Sequence, residues 1–223
     1  MKIETLHRWP AVPAAAIALQ NRLAPRVRLT AVPARPRLFA GADVAFSPNG
    51  AVAIAGVVLW DRLADTVVEQ HVARAPCRLP YIPGLLSFRE TPAILAALRK
   101  LRTRPQIMLC DAQGLAHPRR FGLACHVGLW LDLPTIGCAK SRLCGDYTEP
   151  APTKGSRSAL RHDGQRIGSV VRTRDRVKPL FVSPGHRCDH DSAVRLTLLA
   201  TTRYRLPEPT RLAHQLVTRA RAQ

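Results

Sequence analysis

Two aspartates sit in apolar surroundings, where an unpaired charge is costly. Asp43 lies between Ala42 and Val44, and Asp111 closes the run Ile107-Met108-Leu109-Cys110. A carboxylate so placed needs a counter-charge or a metal ion. Positive charge gathers near Asp111: His117, Arg119 and Arg120 follow it, and Lys140 ends the next apolar run. An acid amid basic residues at a strand end suggests a metal ion facing a phosphate. Two like charges brought together by the fold would repel unless a divalent cation lay between them, and oxygen ligands suit Mg2+ or Mn2+ rather than zinc. Each residue also has a plainer reading. Asp43 fits a bulge or a solvent-facing strand position, and Asp111 a turn or helix cap. Glu90 ends Ser87-Phe88-Arg89-Glu90, which fits a capping box. His214, alone among Leu212, Ala213 and Leu216, fits an ordinary helix histidine. His186, after Ser183-Pro184-Gly185, is a further isolated candidate.

Tyr81 is harder to place in a core. It stands in Pro80-Tyr81-Ile82-Pro83-Gly84, where the prolines stiffen the loop and hold an aromatic outward. A rigid exposed aromatic beside basic residues can wedge into a base stack. The alternative is local packing on a surface loop. His117-Pro118-Arg119-Arg120, at the start of a helical stretch, offers donors where phosphate is favoured; the alternative is a solvated basic face.

The elements that must position these residues are readable from periodicity and turn signals. Residues 10–29 read as a helix and 33–36 as a proline linker. Strands are expected at 38–46, 51–60 and 66–73, joined by short turns into an antiparallel meander. A helix follows at 91–101, a strand at 107–110, a helix at 120–131 and a strand at 134–139. Residues 149–165 read as an exposed excursion, 166–172 and 179–182 as edge strands. Helices at 189–201, capped by Asp189 or Asp191, and 210–221 close the chain. That order gives an α/β fold, a ribonuclease-H-like mixed sheet of antiparallel meander plus parallel strands flanked by helices. In such a sheet the first and fourth strands are neighbours, which would bring Asp43 and Asp111 together. One domain is expected over 1–223, with residues 1–36 as N-terminal helix and linker and 37–221 as the core.

The chain carries 34 Lys+Arg against 15 Asp+Glu, a net charge of +19, which attracts polyanions. At 46% hydrophobic residues it is not a disordered tail. Its six cysteines form no C-x-x-C pair, which excludes zinc-finger spacing and fits reduced thiols. No apolar run approaches the ~20 residues of a membrane span, and the N-terminus lacks a signal-peptide pattern. A cytoplasmic protein with no membrane partner is expected.

Seven motifs then occur in order: Gly41-Ala42-Asp43-Val44; Pro80-Tyr81-Ile82-Pro83-Gly84; Ser87-Phe88-Arg89-Glu90; Asp111 with Gly114 and His117-Pro118-Arg119-Arg120; Gly137 with Ala139-Lys140; Gly185-His186; and Leu206-Pro207-Glu208-Pro209-Thr210-Arg211. Together they resemble the endonuclease V family, the deoxyinosine 3′ endonucleases of DNA repair, over roughly residues 38–214. The resemblance implies a Mg2+-dependent nuclease, with Mn2+ able to substitute. Asp43 and Asp111 match the family's metal-binding acids, and Glu90 and His214 its other active-site residues. Tyr81 matches the wedge that fills the gap left by the turned-out nucleotide, and Lys140 a lysine near the scissile phosphate. Pro80, Tyr81, Ile82, Pro83, Gly84, His117, Arg119, Arg120 and Lys140 are the expected DNA contacts. Gly84, Leu86, Ala112 and Gly122 are the expected base pocket.

The implied partner is double- or single-stranded DNA containing inosine, bound by a monomer. Alternatives are an inosine-specific ribonuclease and a non-catalytic basic nucleic-acid-binding protein. Asp111-Ala112-Gln113-Gly114 departs from the family's usual Asp-Gly-His-Gly. Ala112 adds a methyl group where backbone should approach the base, and Gln113 cannot titrate near neutrality. An altered base preference or rate is the expected consequence.

Overall fold

The computed structural model describes residues 1–222. Helix α1 (Pro13–Leu23) opens with proline in its first turn, where a missing N–H costs nothing. It is shorter than expected: Pro25 sits in a 3-10 turn over Ala24–Arg26, because proline cannot donate back into an α-helix.

Strands β1 (Leu38–Phe46), β2 (Val52–Asp61) and β3 (Thr66–Pro76) form the antiparallel meander. Gly50, at φ 69°, closes the first turn by donating its N–H to the Ser47 carbonyl at 2.8 Å. Helix α2 (Leu86–Arg99) crosses to β4 (Ile107–Cys110), which lies parallel to β1. Helix α3 (Leu123–Leu131) then leads to β5 (Thr135–Ala139), parallel to β4. Strands β6 (Arg157–His162), β7 (Gln165–Val171) and β8 (Leu180–Pro184) complete one eight-stranded mixed sheet in the order β3-β2-β1-β4-β5-β8-β7-β6. Helices α4 (His190–Leu199) and α5 (Glu208–Arg221) end the chain, and α4 is capped by Asp189, whose side chain accepts from the Ser192 N–H at 2.7 Å.

The alternation of side chains along a strand divides the core into two layers. Ala40, Ala42, Met108 and Cys110 face α2 and α3, packing with Ile94, Leu98 and Val127. Phe39, Ile107 and Leu109 face the other way, with Val194 and Leu196 of α4. Helix α5 covers β1 and β2. No described helix is long and apolar enough to cross a membrane.

Three expectations are corrected. The segment read as an excursion contains β6, paired through a turn at Asp163 and Gly164 with φ of 51° and 72°. Two successive positive φ angles at Asp-Gly are a hairpin signal that the surrounding polarity concealed. Strands β7 and β8 are therefore interior, and β3 and β6 form the edges. Helix α2 starts at Leu86, so Ser87 lies inside its first turn and is not its N-cap; its Oγ is buried without a partner among the described residues.

Candidate active site

Strand register brings the two aspartates together. Ala42 pairs with Cys110 in the parallel β1–β4 ladder, so the next step sets Asp43 beside Asp111 at the carboxyl ends. The Asp111 N–H reaches the Ala42 carbonyl at 3.4 Å. Alternation from Ala42 and Cys110, which face α2, turns both aspartates to the α5 side. There His214 Nδ1 lies 2.7 Å from Asp43 Oδ2. Asp111 is ion-paired with Lys140, the residue that leaves β5.

Glu90 approaches from α2 and is 9% exposed. Its carboxyl is pushed well above the usual range by burial, then by the charges of Asp43 and Asp111, with Arg89 offsetting them in part. Burial also raises Asp111, against the pull of Lys140. Glu90 thus belongs to the acidic cluster rather than to a helix cap. Among the described residues, no three His, Cys, Asp or Glu side chains stand as a ready-made ligand set. Lys140 and His214 hold the two aspartates instead. The aspartates nonetheless stand side by side at the strand ends, and their charges raise the proton affinity of the Glu90 carboxyl; oxygen donors of this kind suit a hard divalent cation.

A cavity of 370 Å³ opens beside Asp111 and Lys140, within the size range of small-ligand sites. Gly84, Leu86, Ala112 and Gly122 all line it. Tyr81 stands at its margin, 67% exposed, on the proline-bounded loop. Arg89 props that loop: its guanidinium lies 4.5 Å from the Phe46 ring centroid and 5.7 Å from that of Tyr81. Pro80 and Pro83 are exposed and Ile82 is half-buried.

The His117-Pro118-Arg119-Arg120 stretch is turned inward. The Gly84 carbonyl accepts from Gln20 Nε2 at 2.9 Å, His117 Nε2 at 2.9 Å and Arg119 Nη2 at 3.0 Å. Arg120 binds the backbone carbonyls of His117 and His162. These groups fasten the Tyr81 loop and the β6–β7 hairpin to the cavity wall. His186 is away from the cluster: its Nδ1 accepts from the Arg28 N–H and its Nε2 faces Asp132. Sequence reasoning missed Ser87, Phe121 and Ser141 as cavity residues. None carries a titratable or metal-binding signal, and only tertiary packing brings them there.

The tautomer of His117 follows from its partners. Nε2–H donates to Gly84, and Nδ1 accepts from the Arg119 N–H at 3.1 Å. Protonation would break the second bond. Burial, with Arg119 and Arg120 nearby, lowers its pKa to about 4. His7 and His126, whose Nε2 atoms are 2.7 Å apart, are also held low by burial. A depressed histidine leaves stability intact above its unfolded pKa of 6.5. As the pH falls below 6.5 the unfolded chain takes up protons that the native state refuses, and stability declines toward pH 4. For His117 alone the loss reaches roughly 3 kcal/mol. Urea denaturation across this window should show that decline, reduced in His117→Gln; parallel curves for the two proteins would contradict it.

Known proteins resemble this chain along nearly its whole length. A model of the Endonuclease V family matches residues 21–215. The endonuclease V of Alkalilimnicola ehrlichii is 49% identical over 219 residues, 98% of this chain and 96% of its own length. The crystal structure of endonuclease V from Streptomyces avermitilis superposes with a TM-score of 0.90 at 43% identity, covering 95% of this chain and 94% of that one. Ciona intestinalis endonuclease V, solved with a DNA containing an inosine followed by a ribo-adenosine, shares the fold at a TM-score of 0.81 and 23% identity, over 94% of this chain and 96% of its own. With relatives this similar along nearly its whole length, the chain belongs to the endonuclease V family.

Proposed function

We propose that this chain is a divalent-metal-dependent endodeoxyribonuclease acting on deoxyinosine. It hydrolyses the second phosphodiester bond on the 3′ side of the lesion, leaving 3′-hydroxyl and 5′-phosphate ends. The observation that carries the reading is the strand register that sets Asp43 beside Asp111, with Asp111 lining a cavity in the size range of small-ligand sites.

Asp43 and Asp111 would hold the metal, with Glu90 and His214 assisting; Mg2+ or Mn2+ fits these oxygen donors. Bound there, the ion would lower the pKa of a water nucleophile and stabilise the leaving oxygen. The chain's own groups do the rest. His214 orients Asp43 through their hydrogen bond. Lys140, 43% exposed, places a positive charge where a phosphate would approach. Tyr81, held by its prolines and Arg89, fills the gap when the lesion nucleotide leaves the stack. The base enters the cavity lined by Gly84, Leu86, Ala112 and Gly122. The monomer's surplus positive charge tracks the sugar–phosphate backbone.

Incision assays on duplexes containing hypoxanthine, uracil, an abasic site or no lesion, beside an inosine-containing RNA, test this. Cutting immediately 3′ of the lesion's 3′ neighbour, only on hypoxanthine DNA and only with a divalent ion, is expected. Affinity should fall at least ~tenfold between 50 and 200 mM salt, as counterions are no longer released to advantage. Preferred cutting of the RNA would move the assignment to an inosine ribonuclease. Salt-sensitive binding without metal-dependent cutting would leave only a nucleic-acid-binding protein.

A further inference from the structure

An amide side chain offers one acceptor and two donors, and its partners decide which way it faces. Gln113 lies in the loop after β4, 8% exposed, and lines the cavity. Its Nε2 donates to the Ser141 carbonyl at 2.9 Å. A carbonyl oxygen only accepts, so this bond fixes the amide: nitrogen toward Ser141, Oε1 away from it. Oε1 is buried and has no hydrogen-bond partner among the described residues. Ser87 Oγ, in the first turn of α2, is in the same condition, and Ser87 lines the same cavity. The wall around them is apolar, with Leu86, Phe121 and Leu123. Buried polar atoms are nearly always paired, and two unpaired oxygens at one cavity point to a ligand that completes them.

We infer that Gln113 is a specificity-determining residue, whose Oε1 accepts the ring N–H of a lactam base in this cavity. The inference rests on the reading that the cavity receives a base. Deamination of adenine replaces the C6 amine with a carbonyl and puts a proton on N1. That proton is what a fixed acceptor reads. Adenine brings a bare N1 lone pair against the lone pairs of Oε1, and neither atom can donate. A site built around a hydrogen bond rejects the analogue that lacks it more strongly than a shape-only pocket does. The Ser87 hydroxyl can rotate to donate to the neighbouring carbonyl of the base. Guanine carries the same N1–H, so Gln113 separates deaminated bases from adenine and not from guanine.

The test uses competition binding with oligonucleotides carrying hypoxanthine, unsubstituted purine or guanine at one position. Purine has neither the N1–H nor the carbonyl. The Asp43→Asn protein, with Mg2+ present, serves as the uncut background. In that background hypoxanthine is bound more tightly than purine. Adding Gln113→Met, close in volume but without an acceptor, is expected to reduce this preference at least ~tenfold while the hypoxanthine-to-guanine ratio holds. A residue that merely ties Ser141 in place would weaken all three bases alike. An unchanged hypoxanthine-to-purine ratio therefore overturns the assignment. If Gln113→Met fails to fold, Gln113→Asn withdraws the amide by one methylene and carries the same expectation. A background protein that binds hypoxanthine no better than undamaged DNA would instead remove the base-pocket reading, and Gln113's role with it.

Discussion

Asp43→Ala or Asp111→Ala lowers single-turnover incision of inosine DNA by at least ~10³-fold, and the folded protein survives. A metal ion stabilises developing charge by several kcal/mol, and each 1.36 kcal/mol is tenfold in rate, so losing an acid that holds it costs about three decades. Stability is expected to move little or rise. Asp111 is raised by burial, and Glu90 by burial and by both aspartates. Removing one carboxylate relieves that repulsion, while the freed Lys140 is 43% exposed and returns cheaply to water. DNA affinity is likewise expected to hold, since a negative charge leaves a basic protein. The signature is thus a severe loss of cutting with unfolding midpoint and binding near wild type. A variant cutting within ~tenfold of wild type with Mg2+ present would end the metal assignment.

The contrast between these acids and Glu90 shows what is legible in sequence. β1 and β4 are apolar runs with clear ends, so their bounds and the place of Asp43 and Asp111 at them follow from local pattern. Their adjacency follows from element order, because a meander followed by a helix crossover leaves few topologies. Glu90 obeys a local rule that tertiary structure overrides. Ser87-Phe88-Arg89-Glu90 has capping-box spacing, but Leu85 and Ile82 start the helix earlier: the Phe88 N–H donates to Leu85 and the Leu85 N–H to Ile82. Helix α2 thereby turns Glu90 toward the aspartates. The bonds made by the stretch after His117 are hidden for a related reason. Charge and position suggest a phosphate-facing patch, but local pattern does not show that His117 and Arg119 also donate to the Gly84 carbonyl, more than thirty residues away in sequence. β6 was hidden by polarity, since an edge strand need bury only one face.

The site depends as much on a residue with no side chain. Gly41→Ala is expected to destabilise the protein by about 3 kcal/mol and to lower incision at least ~10²-fold under conditions where it stays folded. A Cβ at Gly41 would lie 2.1 Å from the Pro209 carbonyl carbon, 2.2 Å from its oxygen and 2.6 Å from the Thr210 nitrogen. All three are backbone atoms in the first turn of α5, so no side chain can swing away; the helix itself must retreat. Gly41 precedes Asp43 on the same face of β1, and α5 carries His214, whose ring meets Asp43 at 2.7 Å. A retreat that relieves the clash therefore lengthens that contact. Gly56→Ala supplies the comparison. Gly56 pairs with Asp43 across β1–β2 and also faces α5, but its nearest obstacle is the Val217 Cγ2 methyl at 2.6 Å, with the Ala213 carbonyl at 3.1 Å. A methyl group can rotate aside, so this variant should lose less of both quantities. Chemical denaturation and single-turnover incision on the pair give the ordering. Wild-type stability and cutting in Gly41→Ala would mean that α5 does not press on β1 there, and the Asp43–His214 contact would lose its structural cause.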